Sequence, residues 1–148
     1  MKLHILAASA ALLAATPTRV VAHDLAGAPA SSEAALRETS TRIFGRDLPN
    51  VPGKQLIASE VSYPPGASTP SHRHPETAFI FAYVLSGEIE SVVNDEAPRI
   101  YRQGESWYEA PGSHHRVSRN ASKTKPAKLL AVFVAESGTG QLVFPDPK

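Results

Sequence analysis

The sequence contains no cysteine, so neither disulfide bonds nor thiolate metal ligands can contribute to its structure. It also lacks an excess of charge of one sign. The 15 lysine and arginine residues against 14 aspartate and glutamate residues give a formal net charge of +1. This balance offers no electrostatic reason to expect a nucleic acid or a membrane surface as a partner. Any bound metal would have to be held by histidines and carboxylates.

Long helical patterns are scarce, and aromatic residues make up only 7% of the chain. Turn-forming residues are common instead, with 13 prolines and 9 glycines. This composition predicts many turns and short strands. A chain of 148 residues is long enough for one domain with a sizeable core.

The first 22 residues have the features of a targeting segment. Lys2 precedes an apolar run from Leu3 to Ala15 that is too short for a stable membrane span, and residues of tolerated size lead to Ala22. We therefore predict a signal peptide over residues 1–22, a periplasmic or secreted protein, and no membrane attachment after processing. Arg19 favours the alternative of an uncleaved anchor or a buried helix.

The next stretch, residues 23–42, is small and polar at its start and is predicted to be a flexible arm. One or two helical turns are possible over Ser32–Glu38, because Ser32 can cap a helix N-terminus. From Ile43 onward the pattern changes to strands. The predicted folded domain therefore covers residues 43–148.

Short strands separated by turns account for the rest of the chain. The longest apolar run, Ala78–Leu85, is predicted to be a strand covered on both faces. A hairpin loop is predicted over Asn94–Pro98, and further strands follow with no helix between them. The expected fold class is all-β, a small antiparallel β-barrel or jelly roll.

Two places in this pattern carry histidines. In an extended strand His72 and His74 point to the same face, which makes a pair suited to a divalent metal. A third histidine is offered about forty residues later, where a Pro-Gly turn precedes His114 and His115.

The first of these places resembles the first cupin motif. Gly66, the His72-x-His74 pair five residues further on, and the closing Gly87 all match. The motif's glutamate does not match, because the positions where it would fall are all apolar, namely Ala78, Phe79 and Ile80.

The second place resembles the second cupin motif. Gly104, Gly112 and His115 match, whereas Ala110 stands where the motif has proline and Asn120 lies one residue late. The resemblance covers about residues 50–135. The resemblance implies a cupin barrel but not a particular activity, since this fold carries many unrelated functions.

In the cupin pattern His72, His74 and His115 would converge as three neutral metal ligands and leave positions open for substrate. Without the motif's glutamate the metal would be a stronger Lewis acid, and Mn(II) would bind less well than Zn(II), Fe(II), Ni(II) or Cu(II). The expected cofactor is thus a divalent transition metal of unspecified identity.

Two nearby carboxylates, Glu76 and Glu109, are candidates for catalytic roles. Each could be a fourth ligand, a hydrogen-bond acceptor for a ligating histidine, or a general base on bound water. The alternative for Glu76 is a solvated loop residue. His114 alternates with His115 and is expected to face away from the site. The aromatic side chains of the strands are expected in the core, namely Phe79, Phe81, Tyr83, Trp107 and Tyr108.

These observations lead to a hypothesis of an exported, metal-binding cupin that binds or oxidises a small oxygen-rich or aromatic molecule. As an enzyme it would resemble cupin dioxygenases, with metal-assisted isomerisation or hydrolysis as the next possibility. The alternatives are a non-catalytic ligand-binding or sensor cupin and a metal-free structural barrel. By analogy with other cupins, pairing through edge strands predicts a homodimer.

Overall fold

The computed structural model describes residues 37–147, so the predicted signal peptide and most of the predicted arm lie outside the described residues. Within residues 37–147 no helix is long and apolar enough to cross a membrane. The described chain forms eleven strands: β1 Thr39–Asp47, β2 Lys54–Tyr63, β3 Ser68–Thr69, β4 His72–Arg73, β5 Phe79–Ser86, β6 Glu88–Val93, β7 Arg99–Arg102, β8 Ser106–Glu109, β9 His114–Asn120, β10 Ala127–Glu136 and β11 Phe144–Pro145.

The strands are arranged in two antiparallel sheets. One sheet has the order β1-β2-β10-β5-β8, and the other has the order β11-β4-β9-β6-β7 with β3 also paired to β9. The all-β prediction is therefore confirmed. Side chains from the facing surfaces of both sheets form the core, in which Ile57, Ile80, Val84 and Ile89 are almost fully buried. Burying each such side chain contributes about 1.5–3 kcal/mol to stability.

Strand β5 differs from the prediction that its apolar run is covered on both faces. Ile80 and Val84 point inward and are buried, whereas Phe79, Phe81 and Tyr83 point outward and are 41%, 40% and 36% exposed. Successive side chains of a strand alternate between the two faces of its sheet. Among the described residues no segment covers the outer face of β5, so the prediction is wrong.

The barrel begins earlier than the predicted boundary at Ile43. Strand β1 starts at Thr39, and Arg37 already forms an isolated bridge with Ser68. One or two helical turns were predicted over residues 32–38, but Glu38, at the end of that range, is not helical. Residues 32–36 lie outside the described residues. Pairing with β2 holds this segment extended, which a short local helix signal does not outweigh.

The closing glycine of the first motif is required by its backbone. Gly87 has φ of +73°, and a Cβ at this position would lie 2.7 Å from the carbonyl oxygen of Pro126. A side chain would therefore meet backbone that cannot move independently. This turn links β5 to β6 and passes the chain from one sheet to the other.

Candidate metal centre

Strands β4 and β9 bring the three predicted histidines together. His72 lies directly opposite His115 in the ladder between these strands, and His74 follows His72 by two residues. The ring centroid of His72 lies 4.8 Å from that of His74 and 5.2 Å from that of His115. All three side chains are buried. One ring nitrogen from each lies within 4.8 Å of the others, so the trio could hold a metal ion.

Backbone carbonyls orient two of the rings. The Nδ1 atom of His72 is 2.7 Å from the carbonyl oxygen of Pro70, and the Nδ1 atom of His74 is 2.7 Å from that of Leu142. Because a carbonyl oxygen only accepts, each Nδ1 donates its hydrogen. In the neutral ring the Nε2 lone pair is then free to bind a metal, as is usual for ligating histidines.

Burial also keeps His72 in the form that binds metals. Removal from water lowers the pKa of His72 to about 4, although the hydrogen bond to Pro70 acts in the opposite direction. The neighbouring His115 and His74 lower the pKa further. His72 is therefore neutral at pH 7 and need not lose a proton before it binds a metal.

Glu109, at the end of β8, places its carboxylate between two of the histidines. Its Oε2 atom lies 3.2 Å from Nε2 of His74, and its Oε1 atom lies 3.1 Å from Nδ1 of His115. Trp107 Nε1 donates to Oε1 at 3.2 Å. Burial alone would raise the pKa of Glu109, but the close approach of the His115 and His74 rings outweighs this effect and holds the pKa well below its usual range. The group is thus a carboxylate at neutral pH.

One oxygen of this carboxylate accepts no hydrogen bond from the described residues. Within the described residues Glu109 Oε2 is buried and has no hydrogen-bond partner. The atom that faces it, Nε2 of His74, carries a lone pair whenever the ring is neutral, because Nδ1 donates to Leu142. Two facing acceptors in a buried site require a cation between them, either a proton or a metal. The donor set of imidazoles and a carboxylate fits a divalent transition metal.

The position of Glu109 explains why the first motif seemed to lack its acid. In the ladder between β5 and β8 Glu109 lies directly opposite Ile80, one of the positions where the motif's glutamate would fall. The carboxylate therefore reaches the histidines from the neighbouring strand. This position agrees with the alternative in which Glu109 compensates for the missing glutamate of the motif, rather than with a site of imidazoles alone.

A bulge in β9 explains the late asparagine of the second motif. His115 pairs with Val93, but Val117 pairs with Val92, so Arg116 is an extra residue in the strand. The bulge absorbs the one-residue shift and leaves Asn120 in a structural position. The amide of Asn120 is buried and donates to backbone carbonyls of neighbouring loops.

The other candidate side chains lie outside this centre. Glu76 is exposed and lies over Gly112, which agrees with the solvated-loop alternative rather than a catalytic role. His114 is half-buried and faces away, where its Nε2 lies 2.7 Å from Asp146 Oδ2 and 3.0 Å from Ser71 Oγ. Both contacts involve the same ring nitrogen, so this cluster lacks the relay geometry of a catalytic triad.

Of the aromatic side chains predicted in the core, only Trp107 is buried there. It is 8% exposed, lies against His115 and lines the cavity. Tyr108 is 67% exposed and stacks on Phe79 at a centroid distance of 5.8 Å. Phe81 and Tyr83 stack in the same way on the outer face of the sheet. For these four residues the prediction is wrong.

A cavity of about 270 Å³ lies between the sheets and contains the three histidines and Glu109. Most of its other lining residues are apolar. Five of them are polar and were not predicted from the sequence, namely Glu38, Ser40, Tyr63, Thr69 and Ser118. The alternation of residues in β2 could have predicted that Tyr63 faces the interior, because it lies on the same face of the strand as Ile57. Glu38 had no comparable signal, since it falls in the segment that was predicted to be an arm.

Comparison with known proteins agrees with this architecture. The family model of the cupin domain matches residues 59–133, just over half of the chain. No curated protein sequence matches. Among solved structures, the DMSP lyase DddQ from Ruegeria pomeroyi DSS-3 is 25% identical with a TM-score of 0.59, and the match covers 76% of this chain and 54% of that one.

Two further structures share the fold. An oxalate oxidase in complex with the substrate analogue glycolate is 23% identical with a TM-score of 0.55, over 71% of this chain and 54% of that one. A Klebsiella pneumoniae protein with a double-stranded beta-helix domain is 19% identical with a TM-score of 0.58, over 74% and 86%. The chain thus spans about half the length of the lyase and the oxidase. On the family match and the two-sheet architecture, this chain belongs to the cupin family.

Proposed function

We propose that the chain is an exported cupin that holds a divalent transition metal with His72, His74 and His115 and binds or oxidises a small oxygen-rich or aromatic molecule. The observation that carries the metal is the buried Oε2 atom of Glu109, which faces the acceptor nitrogen of His74 without a donor between them. In a structural barrel without metal, only a proton on one of the two atoms could relieve the repulsion between Glu109 Oε2 and His74 Nε2.

A divalent transition metal in this centre would supply Lewis acidity and open positions for a ligand. The chain's own residues would do the rest. Glu109 is aimed by Trp107 and is the group within reach to accept a proton from a bound ligand, or to complete the metal's coordination. The apolar walls reduce the local dielectric, which strengthens every charge interaction in the cavity.

The fold by itself does not choose the reaction. The similar structures include a lyase and an oxidase, and this architecture carries many chemistries. Oxidation is favoured here by the mixed imidazole and carboxylate set, which suits redox-active ions such as Fe(II) and Mn(II) as well as Zn(II). The presence of Glu109 removes the reason to disfavour Mn(II).

Metal analysis and oxygen uptake test this function together. Protein purified without chelators is expected to contain close to one transition-metal ion per chain by mass spectrometry, because nitrogen atoms of three histidines lie within 4.8 Å of one another beside the Glu109 carboxylate. Oxygen consumption is then measured with phenolic and keto-acid compounds for each metal. Metal without turnover would favour the ligand-binding alternative, and protein free of metal after incubation with each ion would contradict the proposal.

The outer face of the first sheet supports a second proposal, a homodimer. Phe79, Phe81, Tyr83 and Tyr108 form a stripe of stacked rings next to the edge strand β8, and we call these four residues the aromatic stripe. Monomers rarely leave such a patch in water. A twofold axis would place the stripe of one copy against that of another, where ring stacking continues across the contact.

Substitution of Phe81 by glutamate is expected to make the protein monomeric by light scattering, because the charge would be buried against a second copy. Ile100→Glu is the matched control, since Ile100 is 41% exposed on the other sheet and Phe81 is 40% exposed. Wild type and Ile100→Glu should elute as dimers. A monomeric wild type, or equal behaviour of both variants, would contradict the proposal.

A further inference from the structure

The cavity has a second polar end, away from the histidines. Ser118 follows His115 by three residues along β9, which places it about 10 Å further along the strand. There the Tyr63 hydroxyl lies 2.8 Å from Thr69 Oγ1 and 2.9 Å from Ser118 Oγ. Tyr63, Thr69 and Ser118 all line the cavity, and the Tyr63 hydroxyl hydrogen-bonds to each of the other two hydroxyls.

Glu38 brings a carboxylate to this end. Arg37 forms a β-bridge with Ser68, and Thr39 pairs with Ser62 in the ladder between β1 and β2. Glu38 lies between these two pairings and is therefore held close to Tyr63. Burial raises the pKa of Tyr63 above 10.0, and the charge of Glu38 adds to the rise, which is consistent with their proximity. Glu38 also lines the cavity.

This carboxylate is incompletely satisfied. Its Oε2 atom is buried, and none of the residues from 37 to 147 donates a hydrogen bond to it. A buried carboxylate oxygen without a donor is costly, and such groups in folded proteins normally have a partner. The cavity walls are mainly apolar, with Val61 and Leu129 among them, and none of the hydroxyl groups that line the cavity hydrogen-bonds to this oxygen.

We infer that Glu38 selects ligands whose end remote from the metal donates a hydrogen bond, as a hydroxyl or an ammonium group does. This inference rests on the proposed function, because the metal centre holds the other end. The ligand class is a small molecule with a metal-binding oxygen, an apolar body and a donor at the far end. A cavity of about 270 Å³ admits a single substituted ring of this kind.

Three probes that differ only at the far end test the inference. They are 4-methylbenzoate, 4-(hydroxymethyl)benzoate and 4-(aminomethyl)benzoate, titrated calorimetrically into the metal-loaded full chain. A hydrogen bond to a charged group predicts that at least one donor probe binds about 10-fold more tightly than the methyl probe. Comparison of the two donor probes distinguishes a hydroxyl from an ammonium ligand.

Glu38→Gln should bring the affinities of the three probes to within about twofold of one another, because the charge that strengthens the hydrogen bond is gone. Glu60→Gln is the matched control, since Glu60 pairs with Lys128 on the opposite face of the sheet, and it should keep the preference. Equal affinities in the wild type, no binding of any probe, or a preference that persists in Glu38→Gln would overturn the inference. Failure of the protein to take up metal overturns the proposed function instead, and metal content is measured separately in the same samples.

Discussion

Replacement of His72 by alanine is expected to lower the affinity for Zn(II) by about a hundredfold. A complete site of four ligands contributes about 10–16 kcal/mol, so one ligand accounts for roughly 3 kcal/mol. His72 is well placed for this effect because it is buried, neutral and held by Pro70 with its Nε2 atom free. The dissociation constant is measured by competition with a chromophoric chelator.

The adjacent histidines provide the comparison. His115→Ala should lose affinity to a similar extent, because His115 lies directly opposite His72 in the ladder. His114→Ala should retain near-stoichiometric metal, since that ring faces Asp146 and Ser71 instead. Equal losses in all three variants would indicate damage to the fold rather than removal of ligands. Unchanged affinity in His72→Ala and His115→Ala would contradict the metal centre.

Glu109→Gln is expected to weaken Zn(II) binding by at least 10-fold and to weaken Mn(II) binding more. The amide keeps the shape of the side chain but removes the negative charge that faces His74. Carboxylates that contact or support metal ligands are worth about 10-fold to 100-fold in affinity, and harder ions depend most on oxygen donors. Titration of both metals into the same preparation measures the difference.

Glu76→Gln is the matched control for this variant. Glu76 is exposed and lies outside the cavity, so its charge should matter little for either metal. Circular dichroism of both metal-free variants checks that the barrel is intact. If Glu109→Gln binds Zn(II) and Mn(II) as the wild type does, the carboxylate is not part of the centre.

Much of the fold follows from the sequence because strand and turn signals agree along the chain. The hairpin over Asn94–Pro98 joins β6 to β7, and it is confirmed with Asn94 in a left-handed conformation that asparagine tolerates. His72 and His74 could be paired from spacing alone, because an extended strand fixes which side chains share a face. His115 required the second motif in addition.

Other parts depend on contacts that no local pattern contains. The apolar run of β5 predicted burial on both faces, but whether anything covers a sheet is decided by the rest of the chain and its partners. Glu109 could be named as a candidate but not placed, because its approach to His74 depends on which strand lies beside β5. Glu38 was missed since the pairing of β1 with β2 brings it to the cavity.

The ladder between β5 and β8 has a consequence for how ligand sets diverge within this architecture. Ile80 and Glu109 face each other across two hydrogen-bonded strands, so their Cβ atoms are about 5 Å apart and project toward the same interior. A coordinating acid can therefore change its place in the primary structure while it keeps its place in space. A motif that is searched along one strand alone would miss such an exchange. The double substitution Ile80→Glu with Glu109→Ile would move the glutamate back to the strand on which the first cupin motif has it.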